Sequence, residues 1–172
     1  DILNGKPLAS LEEATRLLPA SNTAALQLLV EEGLRRAKDL KKDLLALEQA
    51  TRNYQNTVQA YDTFCALMSM VGATAQLAKS VSTDTQNRTA PYEYYQKEAL
   101  ALSADKAFYQ AFCDYQNHAG RTEPLTKEEH YFLTETVKDF IRAGYHKNEE
   151  EFATITTLRE AIHEAESQFD TL

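Results

Sequence analysis

Apolar residues recur every three or four positions along most of this chain, and that spacing constrains its fold more than any other feature. One stripe runs Leu26, Leu29, Gly33, Ala37, Leu40, Leu44 and Leu47. Side chains three and four apart share a helix face, so the stripe predicts a long amphipathic helix. Gly33 lies inside it, at a cost of about 1 kcal/mol in helix propensity relative to Ala. A close helix–helix contact accounts for such a residue. Ala, Leu, Glu, Gln and Lys are abundant, and 5 Gly and 4 Pro leave few breaks. The expected fold class is all-α.

Caps and breaks divide the pattern. Ser10-Leu11-Glu12-Glu13 is a capping box, and the short helix it opens stops before Pro19. Asn22 is placed to cap the Leu26 helix. Thr51 to Gln55 is a polar break. Asn56 is placed to cap the next helix, with Val58, Tyr61, Cys65, Met68, Gly72 and Ala75 on one face. Its small residues Gly72, Ala73, Ala75 and Ala78 permit close approach of a neighbour. Ser82 to Ala90 has no period and ends at Pro91, which suits a first helical position. Tyr92, Tyr95, Ala99 and Leu102 follow as a stripe.

Ser103 is placed to start a further helix carrying Ala107, Phe108, Ala111, Phe112 and Tyr115, ending near Gly120. Thr126-Lys127-Glu128-Glu129 is a second capping box. Its helix points Leu133, Val137, Phe140 and Ile141 inward and stops at Gly144, a left-handed cap. Asn148-Glu149-Glu150-Glu151 opens the last helix, with Phe152, Ile155, Leu158, Ile162 and Phe169 as its buried face. The pattern predicts an antiparallel bundle of about six to seven helices. It forms a single helical domain over residues 1–172.

The net charge of −8 argues against nucleic acid as a partner, because phosphates call for a basic stripe. The densest basic run, Arg35-Arg36-Ala37-Lys38-Asp39-Leu40-Lys41-Lys42, lies inside a helical pattern and reads as a solvated face. No apolar run reaches the roughly 20 residues that span a bilayer, so no membrane partner is expected. Cys65 and Cys113 are too far apart for a zinc knuckle and too few for a disulfide framework. Both are expected on apolar faces, which favours a reducing compartment.

Candidate chemistry is sparse. His163-Glu164-Ala165-Glu166-Ser167 begins like a zincin helix, but position 167 is Ser where a second His is needed. Glu160-Ala161-Ile162-His163 has the Glu-x-x-His spacing of di-iron bundles, yet no second copy exists. No Gly-x-Ser-x-Gly elbow or Gly-rich phosphate loop occurs. Tyr92, Tyr94 and Tyr95 cluster; Tyr94 lies off the inward stripe and is the expected exposed aromatic.

Two stretches about eighty residues apart carry a resemblance. They are Asn53-Tyr54-Gln55-Asn56-Thr57-Val58-Gln59-Ala60-Tyr61-Asp62 and Lys138-Asp139-Phe140-Ile141-Arg142-Ala143-Gly144-Tyr145. Together they resemble the opening helical region of the thimet oligopeptidase family of zinc metallopeptidases. There an "N-T-v-x-A-l-d"-like helix start precedes an "r-D-F-v-r-a-G" helix end. Thr83-Asp84-Thr85 followed by Tyr92-Glu93-Tyr94-Tyr95 resembles that family's loop-then-helix segment. Leu125 to Gly144 followed by Asn148 to Phe169 resembles the paired helices ahead of its catalytic part. The similarity is strongest from Ala24 to Leu172.

The resemblance implies an almost wholly helical N-terminal portion of a zinc-dependent oligopeptidase. It would form one wall of a channel that admits short unstructured peptides and excludes folded proteins. The family's His-Glu-x-x-His helix and third Glu ligand match nothing in these residues. Catalytic, cofactor and metal residues are therefore expected to be none here, with zinc expected in a catalytic region absent from this chain. The implied partners are short peptides and that catalytic domain. The implied location is the cytoplasm, with the mitochondrial matrix as alternative. The alternative function is a stand-alone, non-catalytic helical module that binds peptides or proteins.

Overall fold

The structure is a computed structural model that describes residues 23–81, 87–103 and 105–169. The Ser10 capping box, the Asn22 cap and the Thr83-Asp84-Thr85 loop lie outside the described residues, as does the side chain of Phe169. The described chain is all-α, without a strand. Helix α1 spans Thr23–Leu45 and α2 spans Ala60–Val81. Then come α3 at Ala90–Ser103, α4 at Lys106–Asn117, α5 at Lys127–Arg142 and α6 at Glu149–Phe169. Among the described residues no helix is long and apolar enough to cross a membrane.

Helix α1 forms where the apolar stripe predicts it, with Leu26, Val30, Gly33, Leu34, Ala37 and Leu44 buried. It packs on α2 in the most extensive contact among the described helices, and on α3 as well. Gly33 lies against α2: a Cβ there would collide with Val71 Cγ2. Gly72 does the same for α3, since an added Cβ would stand 2.7 Å from the Tyr95 hydroxyl. That hydroxyl donates to the Met68 carbonyl at 3.1 Å. Tyr95 thus meets the Met68–Gly72 turn while Tyr92 lies under Lys79, so α2 and α3 run oppositely. Lys38 pairs with Glu98 and Lys41 reaches the Leu102 carbonyl, so α1 and α3 run the same way. The three helices go up, down and up, and not every touching pair is antiparallel.

The break after α1 is less polar than its sequence. Arg52 is only 5% exposed. Its Nη1 and Nη2 donate to the carbonyls of Leu44 and Leu47, at 3.1 and 3.0 Å. A buried guanidinium therefore closes the C-terminal end of α1, where free carbonyls and the helix dipole favour a cation.

The helical run that leads into α2 is capped by Asn53, not by Asn56. The Asn53 side chain accepts the Asn56 N–H and the Asn56 side chain accepts the Asn53 N–H, each at 2.8 Å. This is a capping box with Asn in both places. The turn that follows, Tyr54–Gln59, is π-helical, and the Ala60 N–H reaches back to the Gln55 carbonyl. A π turn inserts a residue and rotates everything after it. The inward face of α2 is Phe64, Leu67, Met68, Val71, Ala75 and Ala78. Cys65, expected inside, is exposed, and Cys113 on α4 is only half-buried.

Ser103 ends α3 rather than starting α4, whose cap is Asp105 accepting the Ala107 N–H at 2.8 Å. Phe108, Ala111, Phe112 and Tyr115 line its buried face as expected. Helix α5 opens on the Thr126–Glu129 capping box. At its far end Gly144 has φ +82°. The Gly144 N–H donates to the Ile141 carbonyl and the Tyr145 N–H to the Phe140 carbonyl, at 2.9 and 3.0 Å. With the Tyr145 and Phe140 rings edge to face, centroids 5.4 Å apart, this is a Schellman motif complete with its apolar contact.

The outer helices are less buried than their stripes suggest. Leu133 and Phe140 of α5 face inward, but Ile141 is 42% exposed. On α6, Phe152 is buried, whereas Leu158 and Ile162 are each 59% exposed. The reason is shared: no described helix forms an extensive seam with α6, so periodicity there marks a face without a neighbour.

Two tests follow from these contacts. Gly72→Leu is expected to destabilise the chain by about 1–3 kcal/mol through overpacking, read from the urea midpoint; an unchanged midpoint would mean that the face is open. The second concerns Asp105, which pairs with Lys41 at 2.8 Å. Burial pushes its pKa up, but the Lys41 hydrogen bond, the Ala107 N–H and the Lys41 charge outweigh that and leave it below the ordinary 3.8. A lowered carboxylate pKa stabilises the fold above the unfolded-state value and ceases to do so as pH falls through the folded-state value. The stability gap between wild type and Asp105→Asn should therefore hold at neutral pH and close below pH 3.8. A gap constant down to about pH 2 would refute the pairing.

Candidate functional site

A π-helical turn is uncommon, and where one occurs it often borders a functional surface. Here it opens a cleft of about 250 Å³ lined by Tyr54, Gln59, Asp62, Glu129 and Phe132. Tyr54 and Gln59 come from the π turn, Asp62 from the first turn of α2, and Glu129 and Phe132 from the start of α5. The wall behind it is held by Glu123. One oxygen of that carboxylate accepts both the Tyr54 N–H, at 2.9 Å, and the Tyr115 hydroxyl, at 3.0 Å. Tyr115 is fully buried, so its hydroxyl has no water to turn to.

The electrostatics of this corner are negative. Burial raises the Tyr54 pKa, and the charges of Glu129 and Asp62 raise it further. Tyr115 is pushed up more strongly, first by burial and then by its hydrogen bond to Glu123. Both phenols therefore stay neutral, and that of Tyr115 donates to Glu123. Glu129 is already committed in part, since it accepts the Thr126 N–H at 2.8 Å in the α5 capping box.

A second concavity of about 340 Å³ runs along α3, lined by Tyr92, Tyr95, Gln96, Ala99, Leu100 and Ser103. It is a groove on one helix face and brings no group of distant residues together. The cleft at the π turn joins three elements and has both aromatic and carboxylate lining, so it is the better candidate for recognition.

The residues weighed from sequence end up elsewhere. In the basic run, Arg35 and Arg36 both pair with Glu32, Arg35 also pairs with Asp39, and Lys38 pairs with Glu98. The two arginines hold the Glu32 pKa at about 2. The two arginines form a solvated face paired within α1, whereas Lys38 and Lys41 tie α1 to α3 and to Asp105. Tyr94, expected to be exposed, is half-buried against the core, and Tyr131 is 70% exposed. His118 sits over the Asp114 carbonyl and His130 beside Thr134. The side chains of Glu160, His163, Glu164 and Glu166 lie outside the described residues. Among the described residues no group of three or more His, Cys, Asp or Glu is placed to hold a metal ion.

Sequence reasoning did not find Arg52, Glu123 or the cleft. Arg52 and Glu123 look like ordinary loop charges, and only packing shows what they reach. No protein-family model, no curated protein and no solved structure matches this chain.

The Glu123 bracket is directly testable. Tyr115→Phe removes one of its two donors and is expected to cost about 1–3 kcal/mol, the usual range for a buried hydrogen bond to a charged group. Urea unfolding of wild type and variant gives the difference; a loss below a few tenths would mean that the hydroxyl is replaceable by water.

Proposed function

We propose that this chain is the N-terminal helical portion of a zinc-dependent oligopeptidase, forming one wall of the channel through which short peptides pass. What supports the reading is a convergence. The two stretches that carry the family resemblance, Asn53 to Asp62 and Lys138 to Tyr145, are far apart in sequence. They meet in the core, where the Tyr61 and Phe140 rings lie 5.3 Å apart. The π-turn cleft opens from the first of these stretches and is closed by the helix that ends in the second.

On this reading the present helices give the channel shape and limit substrate size. The metal and its ligands belong to a catalytic part outside these 172 residues, which would also be the partner of this domain. The setting would be the cytoplasm, or alternatively the mitochondrial matrix. The second reading, a stand-alone helical module that binds peptides or proteins, is favoured by one observation: the exposed apolar face of α6.

The reading frame beyond Leu172 decides between them. A His-Glu-x-x-His helix there, with chelator-sensitive cleavage of short peptides but not of folded proteins, supports the peptidase. A frame that continues without such a motif ends that proposal and leaves the module. Independently, the 172-residue chain incubated with zinc is expected to leave fluorogenic oligopeptides intact. Turnover that survives repurification and is abolished by chelator would overturn the division of labour.

A further inference from the structure

The cleft at the π turn is acidic without a counter-charge, and that narrows what can occupy it. Asp62 and Glu129 line it together with Tyr54, Gln59 and Phe132. Each carboxylate has a local reason for its place. Asp62 lies in the first turn of α2 and Glu129 in the first turn of α5, where the helix dipole favours an anion. The dipole does not explain why two such turns, from distant parts of the chain, share one concavity with two aromatic rings. Among the described residues neither carboxylate has a lysine or arginine partner, whereas Glu32, Glu98, Asp105 and Glu135 all do. Glu129 commits only Oε2 to its capping box, where it accepts the Thr126 N–H and hydroxyl at 2.8 and 2.9 Å. Behind the cleft stands a third carboxylate, Glu123. Its two donors, the Tyr54 N–H and the Tyr115 hydroxyl, are neutral and leave its charge in place.

Charge, lining and size together select the occupant. An anion would meet only carboxylates. A neutral apolar group would cover two charges and compensate neither. Among the described residues no three donors of the metal-ligating kinds converge on one point, so the charge suits a spread-out cation better than a bare ion. The rest of the wall is aromatic: Tyr54 is half-buried and Phe132 is 36% exposed. Aromatic faces attract a guanidinium or ammonium, and aromatic bodies cover the aliphatic stem that carries it. At about 250 Å³ the cleft falls just under the usual range of about 300–1,000 Å³ for whole small-molecule sites, and it suits a group the size of one side chain. We propose that this cleft binds the cationic end of a peptide, a guanidinium or ammonium on an aliphatic stem, with Asp62 and Glu129 supplying the counter-charge and Tyr54 and Phe132 the apolar walls. That the cation arrives on a peptide rests on the oligopeptidase reading; that the cleft takes a cation does not.

The test titrates the whole 172-residue chain, labelled with nitrogen-15, with short alanine peptides that differ in one group. Three are blocked at both ends and carry a central arginine, lysine or citrulline, the last having the shape of arginine without its charge. A fourth, all alanine, keeps its N-terminal ammonium, and a fifth is the same peptide acetylated. At least one of the three cations is expected to shift the amides of Tyr54 to Asp62 and of Thr126 to Phe132, and to bind about tenfold more tightly than its neutral counterpart. The tightest of the three identifies the carrier, and any of them supports the proposal. Asp62→Asn with Glu129→Gln removes both charges while leaving Gln able to hold the capping box. The double variant should lose the tenfold preference with its circular dichroism unchanged. Equal binding of cationic and neutral peptides to wild type would overturn the proposal, whether or not the double variant folds. So would shifts equally large at Glu149, Glu150 and Glu151, the exposed acidic turn that opens α6, because the contact would then be general attraction to a chain of charge −8. Such a failure leaves the oligopeptidase reading to the reading frame beyond Leu172, which bears on that reading alone.

Discussion

One tyrosine ring joins most of this molecule. Tyr61 stands in edge or tilted contact with Phe108, Phe112 and Phe140, at centroid distances of 5.0, 5.3 and 5.3 Å. It therefore ties α2 to α4 and α5 at one point. From Phe140 the contacts continue through Tyr145 to Phe152, which carries them into α6. Aromatic pairs of this kind add about 0.5–1.5 kcal/mol each beyond the area they bury. Their geometry matters more here than their energy. Helices α5 and α6 make few other contacts with the three-helix core, so this chain of rings sets where they sit. The cleft at the π turn exists because α5 is held at that distance. Burial raises the Tyr61 pKa strongly, so the ring stays uncharged throughout the ordinary pH range.

Around that seam, buried polar groups hold the ends of helices rather than their middles. Arg52 takes the carbonyls at the end of α1, Lys41 takes the Leu102 carbonyl at the end of α3, and Lys106 takes the Lys147 carbonyl ahead of α6. Glu123 works in the opposite sense, accepting the first N–H of the π turn and the Tyr115 hydroxyl. Arg52 and Lys41 meet carbonyl ends and Glu123 an amide end, as the helix dipole favours; Lys106, ahead of α6, is held instead by the Lys147 carbonyl and Glu149. The Nε of Arg52 is left without a protein partner. Interior charge in this fold is spent on chain reversals, and the described interior holds no cluster suited to catalysis.

Both stretches that carry the family resemblance also have a local structural job. Asn53 to Gln59 is a capping box followed by a π turn, and Phe140 to Tyr145 is a Schellman motif. Any helical protein needs starts and stops, so these residues explain themselves without a peptidase. What local geometry does not demand is that Tyr61, just past the first of them, should meet Phe140 of the second in the core. That meeting is what the oligopeptidase proposal stands on.

The sequence by itself determined that the chain is helical and where most helices begin and end. The Thr126–Glu129 box, the Asn148 start and the Gly144 stop depend on residues within one turn of each other, and local chemistry is complete in a local sequence. Gly33 and Gly72 announced close contacts, though not with Val71 and Tyr95. Only the tertiary structure decided which apolar stripes are buried. Leu158 and Ile162 have the same spacing as the core residues of α1, yet they face outward because no described helix lies beside them. Cys65 faces outward because the buried stripe of α2 is Phe64, Leu67, Met68, Val71, Ala75 and Ala78, and packing decides between two stripes of the same period. Periodicity gives a helix its sided character; whether that side meets protein or water depends on neighbours contributed by distant parts of the chain.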